Sequence, residues 1–374
     1  MEKKINSPFN LLFLIYDLER GGPELRLLDL QKHLPAHFRI YICVTSRNVT
    51  LLPKFLEAHA RIRIVPVKRG YLEFHKAWSI YGLVKSENIS TVNAFGLKEL
   101  FLAVIIKIFS LWRLKIVYHA VETFDHLGFH RKCLFHLLLK SVNRVLCNSK
   151  DLKLRLRKLS IPEKAITVIS NGIDTKIFSK TTPKKKYPSP NGLDQNNIII
   201  GTIANFREEK NYPFLIEAFK ALSQKHSHLR LLCVGGGILL PQMKNMTRAK
   251  GLEKQVVFTG YSESITKHLS TMDLFVLCSL REGFPNVLLQ AMSMSIPVLS
   301  ANVGGCSEII DHRKNGMLYP SNNMEKFIDE METLLEDKAF AAEIAANGRK
   351  TVEDKYSLRR MITDYGGFYK ELTG

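Results

Sequence analysis

The chain has 374 residues, 45% of them hydrophobic and 24% charged. That length favours two domains, and that composition excludes a disordered or collagen-like chain. Lysine and arginine number 54 against 35 acidic residues, a net charge of +19, and the excess is confined to one half: residues 1–190 hold 33 basic and 14 acidic side chains, the remainder 21 of each. Such a field suits an anionic partner, whether nucleic acid, an anionic membrane surface or an acidic substrate; the plain alternative is a solvated basic face.

Read in chain order, the basic start leads into an apolar stretch, 11–16, that is too short for a secretory segment and ends in charges. It is read as the buried first strand of a cytoplasmic protein. The longest nearly unbroken apolar run, 101–112, contains Lys107 and falls short of the roughly 20 residues that span a bilayer. Further strands are expected at 39–44, 61–65, 91–94, 115–119 and 144–147, then at 198–203, 229–234, 255–259, 274–278 and 297–300. Amphipathic patterns such as 212–224 and 287–294 lie between them. The alternation predicts an α/β protein with two parallel, doubly wound sheets. The first domain is expected over 1–180 and the second over 198–355. A proline- and lysine-rich linker, 181–197, joins them, and a closing helix, 356–374, packs back on the first. The six cysteines have neither zinc-site nor disulfide spacing and are read as reduced thiols.

Ligands of open parallel sheets bind beyond the carboxyl ends of the strands, where the strand order reverses. Four segments follow such ends. Gly21 and Gly22, with Pro23 opening a helix, form either a tight turn or a cradle for a phosphate. In GTIANFREEKN (201–211), Arg207 and Lys210 are either diphosphate ligands or surface ion-pair partners. In SLREGFPNVLLQ (279–290), Pro285 is expected to open a helix whose N–H groups at Asn286, Val287 and Leu288 form an anion site. Glu282 either accepts hydrogen bonds from a polyol or is a first-turn carboxylate that favours the helix dipole, and Gln290, one turn further on, either meets the ligand or is simply exposed. In NVGGCSEII (302–310), Gly304 and Gly305 either allow close backbone approach or form a turn before a helix.

Together these segments resemble a known family. EGFPNVLLQAMSMSIPVLSANVGGCSEII closely resembles the signature of the retaining glycosyltransferase family 4, which has the GT-B fold. VISNGIDTKIF (168–178) is similar to that family's crossing into the linker, GGPELRLLDLQKHL to its N-terminal glycine loop and YSLRRMITDYGGFYKEL to its closing helix. The resemblance implies two Rossmann-like domains facing each other across a cleft. It implies transfer of a sugar from a nucleotide-diphosphate donor, a UDP-sugar being favoured, with retention and with neither metal nor other cofactor. By position it gives catalytic roles to Glu282, His119, Arg207 and Lys210. Donor binding falls to Gly21, Gly22, Asn205, Arg207, Lys210, Tyr261, Glu282, Gly283, Phe284, Asn286, Val287, Leu288 and Gln290.

The acceptor implied is a glycan or lipid-linked molecule of cell-surface polysaccharide or glycolipid synthesis, held by the basic N-terminal domain. Two segments of that domain, 101–115 and 129–144, are each either a helix lying on an anionic membrane or a buried helix with solvated ends. The expected location is cytoplasmic and peripheral on the inner face of the membrane. No RNA-binding signature accompanies the charge, so nucleic acid is not expected.

One departure from the family motif stands out: its second glutamate is Gln290 here. That motivates one alternative, a non-catalytic subunit of a transferase complex; the shared overall fold leaves a second, a GT-B sugar-nucleotide epimerase. The epimerase would need acid/base groups on both faces of the sugar, and only His119 and Glu282 offer themselves. An amide still accepts a hydrogen bond but forfeits the charge. Gln290→Glu is therefore expected to tighten nucleotide binding by about 1 kcal/mol, roughly fivefold, in a calorimetric titration.

Overall fold

Strand β1 (Phe9–Ile15) explains the first half of the molecule. Leu11, Leu12, Phe13 and Leu14 are fully buried, so both faces of the strand are covered, the mark of a central strand in a parallel sheet. It pairs in parallel with β2 (Phe38–Val44) on one side. On the other it pairs with β4 (Thr91–Ala94), beyond β3 (Arg61–Ile64) in the chain. With β5 (Lys115–Ala120), β6 (Arg144–Cys147) and β7 (Ile166–Val168), the sheet order is β3-β2-β1-β4-β5-β6-β7. Helices α1 (Gly22–His33), α2 (Leu52–Glu57), α3 (Phe74–Ser86), α4 (Leu97–Phe109), α5 (Phe129–Leu139) and α6 (Lys150–Lys158) make the crossovers.

The computed structural model describes residues 8–19, 21–66, 74–120, 128–159, 161–179 and 197–373. The expected linker, 181–197, lies outside them except for Asn197. The chain divides into one unit of Met1–Asn171 with Met361–Gly374 and a second of Gly172–Arg360. Residues just past Asn171 already belong to the second unit: Ile173 bridges Ser357, and the Phe178 carbonyl accepts from Ser293 Oγ at 2.7 Å.

The second unit repeats the plan. Its strands are β8 (Ile198–Ile203), β9 (Leu229–Val234), β10 (Val256–Gly260), β11 (Leu274–Leu277), β12 (Val298–Ala301) and β13 (Met317–Tyr319), in the order β10-β9-β8-β11-β12-β13. Its helices are α7 (Tyr212–Lys225), α8 (Leu240–Ala249), α9 (Ile265–Leu269), α10 (Asn286–Ser293), α11 (Cys306–Ile309), α12 (Met324–Glu336) and α13 (Lys338–Lys355). All eleven strands expected from the sequence are present. The edge strands β7 and β13 were not expected; each has three residues, too few for a pattern to stand out.

The last helix, α14 (Leu358–Thr373), begins in the second unit and completes the first. Its buried residues Met361, Ile362, Tyr365, Phe368, Tyr369 and Leu372 recur at helical spacing. Tyr369 packs against Phe13 and Phe38, and its hydroxyl donates to Asn93 Oδ1 at 2.7 Å.

Segment 101–115 takes the second of its two expected forms, a buried helix with a solvated end. It does not lie on a surface along its length: Leu102, Ala103, Ile105, Ile106 and even Lys107 of α4 are buried, Lys107 donating to the Ser141 carbonyl and Asn143 Oδ1. Only its end is exposed. There the Leu111 N–H bonds the Ile108 carbonyl and the Trp112 N–H bonds the Lys107 carbonyl, the paired closure usually built with glycine. Here leucine occupies the left-handed position at φ 53°, followed by Trp112 at φ 65°. Leu111→Gly should therefore raise stability by about 1 kcal/mol in a urea titration, because the left-handed backbone strains every residue with a Cβ.

Candidate active site

In the second unit the strand order reverses between β8 and β11, and the sequence-predicted residues sit on the loops that leave those strands. After β8, Phe206 is fully buried and stacked on Tyr212 at 3.8 Å, while its neighbours Asn205 and Arg207 are exposed. One buried ring thus fixes the loop and turns two polar side chains outward. A 3₁₀ turn, Glu208–Lys210, follows, and Asn211 in the left-handed region leads into α7.

The loop is braced from behind by Gly235, Gly236 and Gly237, which follow β9. The Phe206 N–H donates to the Gly236 carbonyl at 2.8 Å, and a Cβ on Gly237 would lie 2.6 Å from the Phe206 nitrogen. Beside this contact is a cavity of about 520 Å³, lined by Asn205, Arg207, Gly236, Gly237, Ile238 and Tyr261. The glycine triplet and Ile238, 86% exposed, were missed from sequence. Three successive glycines after a strand were the available signal.

The loop after β11 carries Ser279, Glu282, Gly283 and Phe284. Its partner is the β8 loop: the Leu280 N–H bonds the Glu209 carbonyl at 2.8 Å, and Lys210 Nζ meets Glu282 Oε1 at 2.7 Å. Ser279 Oγ donates to the same carboxylate oxygen at 2.6 Å. The two charged side chains are 22% and 10% exposed, so their attraction is far less screened than that of a surface pair. Behind them Gly304, at φ 48°, leaves no room for a side chain: a Cβ there would overlap the Glu282 carbonyl oxygen. The Gly305 N–H bonds the Gly283 carbonyl at 3.1 Å. Close approach at Gly304 and Gly305 therefore serves the neighbouring loop. Cys306, next along, is a buried neutral thiol, pushed up to about 12 chiefly by its burial.

Helix α10 begins at Asn286, one residue later than expected, with Pro285 as its cap. Of the three N–H groups expected to face an anion, that of Leu288 is used internally, bonding the Pro285 carbonyl at 3.1 Å, and its side chain is fully buried. Val287, Asn286 and Gln290 are half-buried, Phe284 is buried and Gly283 exposed.

Gly21 and Gly22 stand at the start of α1 in the first unit. The Glu24 side chain folds back and accepts from the N–H groups of Gly21 and Glu24, so an internal carboxyl occupies the position expected for a phosphate. Burial pushes that carboxyl up to about 7, with Asp17 adding to the effect.

His119 is 1% exposed. Its Nε2 lies 2.9 Å from Asn93 Oδ1, an acceptor, which fixes Nε2–H as the donor. The ring stacks on Phe95 at 4.2 Å, and burial, with the charge of Arg26, lowers its pKa well below the usual histidine value. It is a neutral ring inside the first unit rather than an exposed group.

Residues 20–177 match the family model described as Glycosyltransferase Family 4, and residues 183–351 match the model described as Glycosyl transferases group 1. The chain belongs to glycosyltransferase family 4. Among curated relatives, the N-acetyl-alpha-D-glucosaminyl L-malate synthase of Bacillus anthracis is 27% identical over 214 residues, 56% of this chain. The match spans only 55% of that relative's length. The UDP-Gal:alpha-D-GlcNAc-diphosphoundecaprenol alpha-1,3-galactosyltransferase of Escherichia coli is 24% identical over 306 residues, 79% of this chain and 78% of that one. Among solved structures, Anabaena HepE in complex with UDP superposes with a TM-score of 0.87 at 21% identity, covering 97% of this chain and 100% of HepE. The fold of this glycosyltransferase is therefore GT-B, with two Rossmann-like units.

The Glu24 carboxyl gives the glycosyltransferase a pH signature. The folded chain holds that proton to about pH 7, whereas the unfolded chain releases it near 4.5. The favourable contribution is thus complete below 4.5 and lost as the pH rises to about 7. Thermal midpoints measured across pH should show that decline in the wild type relative to Glu24→Gln, with parallel curves above it.

Proposed function

We propose that this glycosyltransferase moves a sugar from a UDP-sugar to a glycan or lipid-linked acceptor in the assembly of a cell-surface polysaccharide or glycolipid. Transfer retains the anomeric configuration and uses no metal. The observation that carries the reading is the Lys210–Glu282 pair, which joins the β8 and β11 loops at the reversal of strand order, with Arg207 on the same β8 loop lining the adjoining cavity. The UDP in HepE and the UDP-Gal in the name of the E. coli relative favour the uridine donor.

In this reading the cavity beside Tyr261 and Ile238 takes the base, within the usual range of ligand-site volumes, roughly 300–1,000 Å³. Gln290, with Asn286 and Val287, meets the ribose and phosphates. Arg207 supplies a planar fork and Lys210 a point charge to the diphosphate. Charge grows on the leaving oxygen as the glycosidic bond breaks, so two fixed cations stabilise the transition state more than the ground state.

Without donor, Glu282 holds Lys210 in place. With donor, its carboxylate accepts from sugar hydroxyls while Ser279 keeps it oriented. Among the described residues no side chain presents itself as a covalent nucleophile, which favours attack by the acceptor on the face the diphosphate leaves. His119 contributes as a neutral ring held by Asn93 within the first unit. The basic character of residues 1–190 supports acceptor binding by the first unit and a peripheral place at the inner membrane face.

A thermal-shift panel of UDP, GDP, ADP and CMP, with and without divalent metal, tests the donor. UDP alone should stabilise, by about 2.7 kcal/mol at a hundredfold excess over its dissociation constant, with metal making no difference. Glu282→Gln should keep that shift and lower kcat by about 100-fold or more. An unchanged kcat in Glu282→Gln would remove the carboxylate from the chemistry.

A further inference from the structure

The chain has two tryptophans, and both are exposed on the first unit: Trp78 at 62% and Trp112 at 58%. They are linked through α3 and the end of α4. Trp78 packs edge-on against Phe109 at 5.3 Å, and the Lys107 ammonium lies over the Trp112 ring at 5.5 Å. Phe74, one helical turn before Trp78, and Ile108 and Leu111 beside Trp112 extend the exposed apolar surface. Lys107 also bonds the Ser141 carbonyl just past α5, whose Leu137 is exposed in turn.

Two features separate this surface from scattered exposed side chains. The first is backbone geometry. Leu111 and Trp112 both take left-handed conformations, and Leu111 fills the position where glycine closes a helix without strain. A leucine 78% exposed gains little from packing, so the fold itself supplies no reason for it. The second is charge. Helices α3 and α5 and residues 100–120 contain no aspartate or glutamate, while Arg113, Arg131 and Lys140 are exposed among the apolar groups. An apolar patch alone suits many partners; apolar tips with two tryptophans and an excess of basic neighbours suit the boundary layer of an anionic bilayer.

The geometry points to this surface, formed by α3, the turn after α4 and α5, as the site at which the protein docks on an anionic lipid surface, with Leu111 and Trp112 entering the headgroup layer. The assignment rests on the membrane location proposed above and names the face responsible. It does not depend on the donor chemistry.

The test uses the full chain and vesicles of phosphatidylcholine with or without phosphatidylglycerol. Because both tryptophans lie on the surface, their fluorescence reports docking directly. Phosphatidylglycerol vesicles should sediment the protein and shift its emission to the blue, phosphatidylcholine alone should do neither, and high salt should reverse both effects. Leu111→Gly should weaken vesicle binding by about tenfold or more while the thermal midpoint rises, a combination that loss of folding does not produce. UDP stabilisation should persist in that variant, which distinguishes failure of docking from failure of the transferase reading. Wild-type vesicle affinity in Leu111→Gly would overturn the proposal, as would sedimentation without a blue shift. A blue shift that follows protein concentration without lipid, with dimers in sedimentation velocity, would make the face a self-association surface instead.

Discussion

A strand buried on both faces has no side on which to display polar chemistry, so the chemistry must appear where the strand ends. That constraint organises this protein. The residues of β1 and of β8 are covered above and below, and each strand has neighbours on both sides. Polar groups are therefore displaced to the loops beyond the carboxyl ends, and the reversal of strand order between β8 and β11 separates two adjacent loops enough for side chains to enter between them. Asn205, Arg207 and Lys210 come from one of those loops and Ser279 and Glu282 from the other.

Holding that arrangement still requires backbone packed against backbone. Gly237 lies on Phe206, and Gly304 lies on Glu282, each so close that a side chain would displace the loop that carries the charges. The glycines act as spacers set to zero thickness. The Lys210–Glu282 pair then works as a stored geometry: in a partly dry site the two charges satisfy one another until an anionic ligand offers Lys210 a stronger partner. At the start of α1 an equivalent position is filled by the Glu24 carboxyl, which is retained against the cost of burial by the N–H groups it accepts from.

How much of this could be read from sequence depended on the range of the interaction involved. The central strands were legible because a run such as Leu11 to Leu14 is buried on both faces and has to be apolar at every position. The Glu282 loop was legible through its glycine, proline and helix pattern. The end of α4 was not: a helix apolar on nearly all sides reads the same whether it sits in a core or on a membrane, and only the burial of Leu102, Ile105 and Ile106 decides. His119 was legible as a histidine ending a strand, but its burial comes from Phe95 and from Tyr365 of the last helix, more than 240 residues away. The internal bond of the Leu288 N–H and the folded-back Glu24 were illegible because each depends on a local backbone or rotamer choice that residue identity leaves open.

The distribution of charge now has a simple consequence. Residues 191–374 are electrically balanced, with 21 basic and 21 acidic side chains, although the Arg207–Lys210–Glu282 set lies within them. The diphosphate recognition proposed there would rest on Arg207 and Lys210 at short range, and a net field is not required. The first unit, residues 1–171 with 361–374, holds 29 basic against 15 acidic side chains, +14 of the +19, and that excess remains to be explained by something the unit does. A diffuse excess of that size is poorly suited to fixing one small anion and well suited to a surface that is itself extended and anionic, since many weak attractions add across a bilayer face. On that face the one strained turn of α4 holds Leu111 and Trp112 outward among arginine and lysine, so that short-range insertion begins where long-range attraction ends.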